Sequence, residues 1–171
     1  ASDSPNCEAI QFLKINKIIS GYPDGTFGPN KEVNRVELLK MAMLTFNKKL
    51  QTQINANYKD IDKNAWYIPY LSTATSMAII GGYPDVTFKP NHTVSKVEAM
   101  KIIFLSSAMQ LPIKPTLKPF NDTPLASWYL PYAQYFKNKS IDLGDAEGNL
   151  QPNHPMTRAE IAEYLYKFSK L

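Results

Sequence analysis

Gly82-Tyr83-Pro84-Asp85-Val86-Thr87-Phe88-Lys89-Pro90-Asn91 restates Gly21-Tyr22-Pro23-Asp24-Gly25-Thr26-Phe27-Gly28-Pro29-Asn30, and a worn third version runs Gly144-Asp145-Ala146-Glu147-Gly148-Asn149-Leu150-Gln151-Pro152-Asn153. Pro29, Pro90 and Pro152 stand 61 and 62 residues apart, and the same offsets join Arg35, Lys96 and Arg158, then Glu37, Glu98 and Glu160. Upstream of the second and third turns, Trp66-Tyr67-Ile68-Pro69-Tyr70 returns 62 residues on as Trp128-Tyr129-Leu130-Pro131-Tyr132. Coincidences this dense at one spacing mark an internal repeat. Each copy is one supersecondary unit that cannot bury its apolar face alone, and neighbouring copies share a core.

Around each turn the anatomy is the same. An apolar stretch such as Ile68–Ile80 carries Leu71, Ala74, Met77 and Ala78 at helical spacing. The Gly-Tyr-Pro-Asp turn is expected to stop it, since glycine accepts positive φ and proline cannot continue a helix. A short loop follows, centred on an inward-pointing Phe27, Phe88 or Leu150. A second helix then begins, over Val36–Leu50 in copy one, with Leu39, Met43 and Phe46 on one side. Its start is written as Asn34-Arg35-Val36-Glu37, Ser95-Lys96-Val97-Glu98 and Thr157-Arg158-Ala159-Glu160. Each is a capping box, in which the first side chain accepts from a free helix N–H and the glutamate reaches back to the cap. These readings give a single module over 1–171, with repeat one at 6–50, repeat two at 58–111 and repeat three at 120–171. Gln51–Asn57 and Leu111–Pro119 connect the repeats, the second stiffened by Pro112, Pro115 and Pro119. Copy one has no Trp-Tyr pair: Pro5 and Asn6 align with Trp66 and Tyr67, so copy one is either shortened or packed differently.

The composition narrows the function classes. With 44% apolar and 20% charged residues the chain can bury a core and is no disordered tail. The net charge of +4 is scattered, and the longest basic run is Lys48-Lys49, so no arm of the kind that grips nucleic acid is present. Cys7 stands alone, which excludes an intrachain disulfide and a cysteine zinc cluster. No apolar run approaches the roughly 18 residues a membrane-spanning helix needs. Ala1–Pro5 is polar, without a signal-peptide pattern, and reads as a mature terminus compatible with an export signal already removed.

Taken together, the motifs resemble the S-layer homology family, whose signature is a phenylalanine–aspartate opening, a Trp-Tyr helix start, G-Y-x-D-G-x-F-x-P and T-R-A-E. Tyr58-Lys59-Asp60-Ile61 with Trp66 opens copy two, Phe120-Asn121-Asp122 with Trp128 opens copy three, and the resemblance covers nearly all of the chain. It implies an all-α fold of three helix-loop-helix repeats with pseudo-threefold symmetry around a central helical bundle, with grooves between neighbouring units. It also implies a non-catalytic module, part of a larger secreted surface protein, on the outside of a bacterial cell in the cell wall or S-layer. The implied partner is a secondary cell-wall polysaccharide with an acidic, typically pyruvylated, amino sugar. The arginine that the family uses against that sugar maps onto Arg35 and Arg158 and, as lysine, onto Lys96. Lys96 keeps the charge but loses the planar fork that holds a carboxylate bidentately, so its groove is expected to be weak or to serve a different sugar. Val86 in place of the loop glycine, and the missing Tyr-Pro of copy three, are further departures.

The residues themselves point to an anion. A cation at a helix N-terminus opposes the helix dipole by roughly 0.3–1 kcal/mol, yet Arg35, Lys96 and Arg158 all stand immediately after a cap. Singly, each could face solvent or pair with a nearby aspartate. Repeated three times, they suggest an anion held by free N–H groups, dipole and cation together, with the cations open to solvent in a cleft. Trp66 and Trp128 read first as packing residues and second as sugar-stacking platforms, and Tyr67 and Tyr129 read equally as either. Asp24 and Asp85 belong first to their own turns, with ligand contact as the second reading. Lys31, His92 and His154 follow the Pro-Asn pairs as polar loop surface. Asp60 with Asp62, and Asp142 with Asp145, lack any nucleophile or repeated histidine, so no enzyme is expected. No metal or cofactor is expected either, because Leu143 and His154 occupy the end positions of a would-be calcium loop around Gly148. The alternative to a glycan anchor is a protein-interaction or self-assembly module on the same scaffold.

Overall fold

The computed structural model describes residues 6–51, 57–111 and 117–171. The polar start at 1–5 and most of the two connections, including the stiff one expected at Leu111–Pro119, lie outside them. Six helices are found among the described residues: α1 (Cys7–Ile15), α2 (Arg35–Thr45), α3 (Ile68–Ser76), α4 (Lys96–Ser106), α5 (Leu130–Asn138) and α6 (Arg158–Ser169). The described residues contain no named strand, only isolated bridges, so the fold is all-α.

The later helix of each copy starts where its capping box places it. Asn34 accepts from the Glu37 N–H at 2.9 Å while Glu37 accepts from the Asn34 N–H at 3.0 Å. Glu98 takes the N–H and the hydroxyl of Ser95, and Glu160 those of Thr157, at 2.8–3.0 Å. Both kinds of helix end earlier than the apolar patterns suggest. α3 stops at Ser76, ahead of the Gly-Tyr-Pro-Asp turn, because Ala78 adopts φ 55° and the Ile79 N–H reaches back to the Ala74 carbonyl at 2.9 Å. Lys17 and Ser140 repeat this left-handed stop at φ 56° and 53°, and Asn47 ends α2 at φ 49°. Gly82 serves a close approach instead, since a Cβ there would lie 2.4 Å from the Tyr58 ring.

α2 is apolar nearly all round, with Val36, Leu38, Leu39, Met41, Ala42 and Met43 buried, as a helix enclosed by others must be. It touches α4 and α6, which also touch each other. The earlier helices pack against a different copy: α3 lies on α2, α5 on α4, and α1 on α6. A ring of backbone bonds joins the copies. The Val94 N–H donates to the Val33 carbonyl at 3.0 Å, Met156 to Val94 at 3.1 Å, and Val33 to Met156 at 2.9 Å. The three side chains are fully buried. Beside this ring the amides of Arg35, Lys96 and Arg158 donate to the carbonyls of His92, His154 and Lys31.

Asp60 and Asp122 hold the loops down. Asp60 accepts from the amides of Phe88 and Lys89, both at 2.7 Å, and Asp122 from those of Leu150 and Gln151 at 2.7 and 2.8 Å. Phe88 and Leu150 are fully buried as expected; Phe27 of copy one, however, is only half-buried.

Candidate functional site

Each helix-opening cation reaches across to the next copy. Arg35 donates from Nε to the Phe88 carbonyl at 3.0 Å and from Nη1 to Glu98 at 2.9 Å. Its guanidinium lies 4.6 Å from the Phe88 ring centre and 5.2 Å from that of Tyr83. Arg158 repeats the pattern on copy one: Nε donates to the Phe27 carbonyl at 3.0 Å and Nη2 to the Ser20 carbonyl at 3.2 Å, with Phe27 and Tyr22 at 4.8 and 5.1 Å. No carboxylate pairs with Arg158 among the described residues. Lys96 reaches Asp142 of copy three at 3.3 Å.

Solvent-open cations were the expectation, and this is corrected: Arg35 is 5% and Arg158 9% exposed. The cause is visible in the contacts. A guanidinium is weakly hydrated and planar, so it lies against aromatic rings and spends its Nε on a carbonyl, leaving other N–H groups unused.

All three cations nevertheless line cavities. The Arg35 cavity, of about 170 Å³, is bordered by Ile79–Tyr83 after α3, by Glu98, Lys101 and Ile102 on α4, and by Trp128. The Arg158 cavity, of about 190 Å³, is bordered by Ile18–Ser20 after α1, by Glu37, Lys40 and Met41 on α2, and by Trp66. Each groove therefore takes its cation from one copy, its floor from a second and its tryptophan from a third. The Lys96 cavity, of about 290 Å³, has the same framework but holds Asp142, Glu160, Glu163, Tyr164 and Lys167. These volumes fall short of the roughly 300–1,000 Å³ of drug-sized sites, which suits one functional group or sugar unit.

Trp66 and Trp128 are the outward aromatic residues, each 54% exposed, which reverses their first reading as packing residues. Tyr67 is buried, with its hydroxyl accepting from the Asp62 N–H at 3.2 Å, and Tyr129 is half-buried. Neither tyrosine lines these three cavities. Asp24 and Asp85 sit in exposed turns, accepting from Thr26 and Thr87, also outside the cavities. Those bonds hold both carboxyls below the ordinary aspartate range. Lys40 and Lys101 were missed by sequence reasoning. Each ammonium stands 5.6 Å from the centre of Trp66 or Trp128, and their separation of 61 residues was the signal. Burial raises the Tyr83 hydroxyl pKa, Glu98 adds to the rise, and Arg35 opposes it.

The fold and these grooves define a three-copy helical repeat module whose clefts lie between copies. The chain belongs to the S-layer homology domain family, whose model matches residues 1–39, 57–100 and 119–162. It is similar to a protein named cellulosome-anchoring protein of Acetivibrio thermocellus, at 31% identity over 70% of this chain and 27% of that protein. It is 32% identical to the surface-layer 125 kDa protein of Lysinibacillus sphaericus, over 91% of this chain and 13% of that protein. An S-layer protein of Bacillus thuringiensis subsp. finitimus matches 99% of this chain at 22% identity. The chain thus spans about a quarter or less of the length of these relatives. No helix among the described residues is long and apolar enough to cross a membrane.

Proposed function

We propose that the chain is a non-catalytic anchoring module that fastens a larger protein to the outside of a bacterial cell by binding an acidic, pyruvylated cell-wall polysaccharide. The observation that carries this reading is the pairing, in two grooves, of a ring-stacked arginine with a lysine and a half-exposed tryptophan around one small cavity. A sugar that bears a carboxylate meets all three demands. Its acid group takes the arginine N–H groups left unused and the nearby ammonium, and its ring lies against the indole. The dipole of the cation-bearing helix adds to the attraction. Anchoring and S-layer proteins among the relatives support the same reading. Arg35, Arg158, Trp66 and Trp128 carry the recognition in this proposal, with Lys40 and Lys101 beside them; Tyr67 and Tyr129 support the tryptophans from behind, and Asp24 and Asp85 shape the turns.

The test is co-sedimentation with purified wall polysaccharide. Saturable binding is expected, lost when the pyruvate is hydrolysed off and weakened by raising salt. Failure to bind any acidic wall glycan sinks the proposal.

A further inference from the structure

The third groove carries its own anion. Lys96 Nζ lies 3.3 Å from Asp142 Oδ2, with the two side chains only 15% and 8% exposed. The same oxygen accepts the hydroxyl of buried Tyr164, and Asp142 Oδ1 accepts the Gly144 N–H at 2.7 Å. Both carboxylate oxygens are therefore engaged inside the protein. The residues at these places in the other two grooves are different in kind. Asp142 stands where Ile19 and Ile80 stand, Tyr164 where Met41 and Ile102 stand, and Glu163 where Lys40 and Lys101 stand. Two ammonium groups line the Lys96 cavity against three carboxylates, whereas the other two cavities each hold two cations against one.

Resting on the anchoring role above, we infer that the Lys96 groove is a self-neutralised joint: Asp142 supplies from within the chain the carboxylate that the other two grooves take from the glycan. An incoming acid would have to displace a buried, doubly hydrogen-bonded aspartate and leave its charge unpaired, against a field already negative. The Arg158 groove is the most open to an anion, since no carboxylate pairs with that guanidinium among the described residues, and the Arg35 groove is second, sharing its cation with half-buried Glu98. Each chain then binds two acid groups, with the tighter site at Arg158.

Calorimetry with a pyruvylated N-acetylhexosamine tests this. Wild type is expected to bind two equivalents; Arg158→Gln and Arg35→Gln each lose one, and Lys96→Gln loses none. Glu98→Gln is expected to tighten the Arg35 site severalfold. Three equivalents in wild type, or loss of one in Lys96→Gln, overturns the inference. A second measurement needs no glycan. In a thermal double-mutant cycle, Lys96→Gln is expected to lower the midpoint more in wild type than in Asp142→Asn. Additive effects there overturn the joint even if the sugar binds, while coupling without any sugar binding keeps the joint and rejects the anchoring role.

Discussion

At the scale of single residues, two aromatic environments separate binding from folding. Trp128 is half-exposed at the mouth of a groove, whereas Phe104 is fully buried among Tyr132, Tyr135 and Phe168. Phe104→Ala is expected to cost about 3–5 kcal/mol, and Trp128→Ala about 1 kcal/mol or less, both read from urea unfolding, while only the second removes one of the two glycan equivalents from a folded protein, leaving the one at the Arg158 groove. The sequence made the cations legible, because a charge opposing a helix dipole three times over is informative in itself. It did not reveal their partners. Arg35 bonds Phe88 and Arg158 bonds Phe27 across 53 and 131 residues, and periodicity along one helix carries no information about which distant carbonyl will face it. The inward turn of Tyr67 and outward turn of Trp66 were equally hidden, because neighbouring residues at a helix start differ in direction by about 100° and either can face the core.

At the scale of elements, the capping boxes are where sequence and structure agree most closely, because the interaction is local: two side chains and two amides within four residues. Thr157→Ala is expected to destabilise the protein by about 1 kcal/mol, checked by its urea midpoint. Glu160 adds a pH signature. Burial pushes its pKa up, but the amide and hydroxyl of Thr157 and the ring of His154 outweigh that, leaving it below the ordinary glutamate value. A carboxyl lowered on folding stabilises above its unfolded pKa and loses that contribution as pH falls through the folded one. The midpoint is therefore expected to drop below about pH 4.5, and Glu160→Gln to flatten that drop. Helix ends were less legible. Lys17, Ala78 and Ser140 close their helices in the left-handed region without glycine, so the usual punctuation is missing and the apolar pattern runs past the true stop.

At the scale of the whole molecule, no copy is self-contained: its earlier helix packs on another copy, its cation bonds the next, and its groove draws on three. One unfolding transition is expected, with tryptophan fluorescence, which reports Trp66 and Trp128, coinciding with far-ultraviolet circular dichroism. Leu13→Ala, in the α1 face against α6, is expected to cost about 2–5 kcal/mol and to move both signals together. Separate midpoints would mean that the copies melt independently. The sequence gives the number of copies but not this interleaving, because a helix-loop-helix pattern reads alike whether the two helices pair with each other or with neighbours. The triangle of amides at Val33, Val94 and Met156 then sets a rule for how such a chain can grow. Every corner gives one hydrogen and takes one, so the figure closes only with all its corners. A gene that loses one unit strands a donor and an acceptor in a dry interior, and one that gains a single unit has nowhere to seat it. Lengthening by duplication is thus expected to proceed in whole sets.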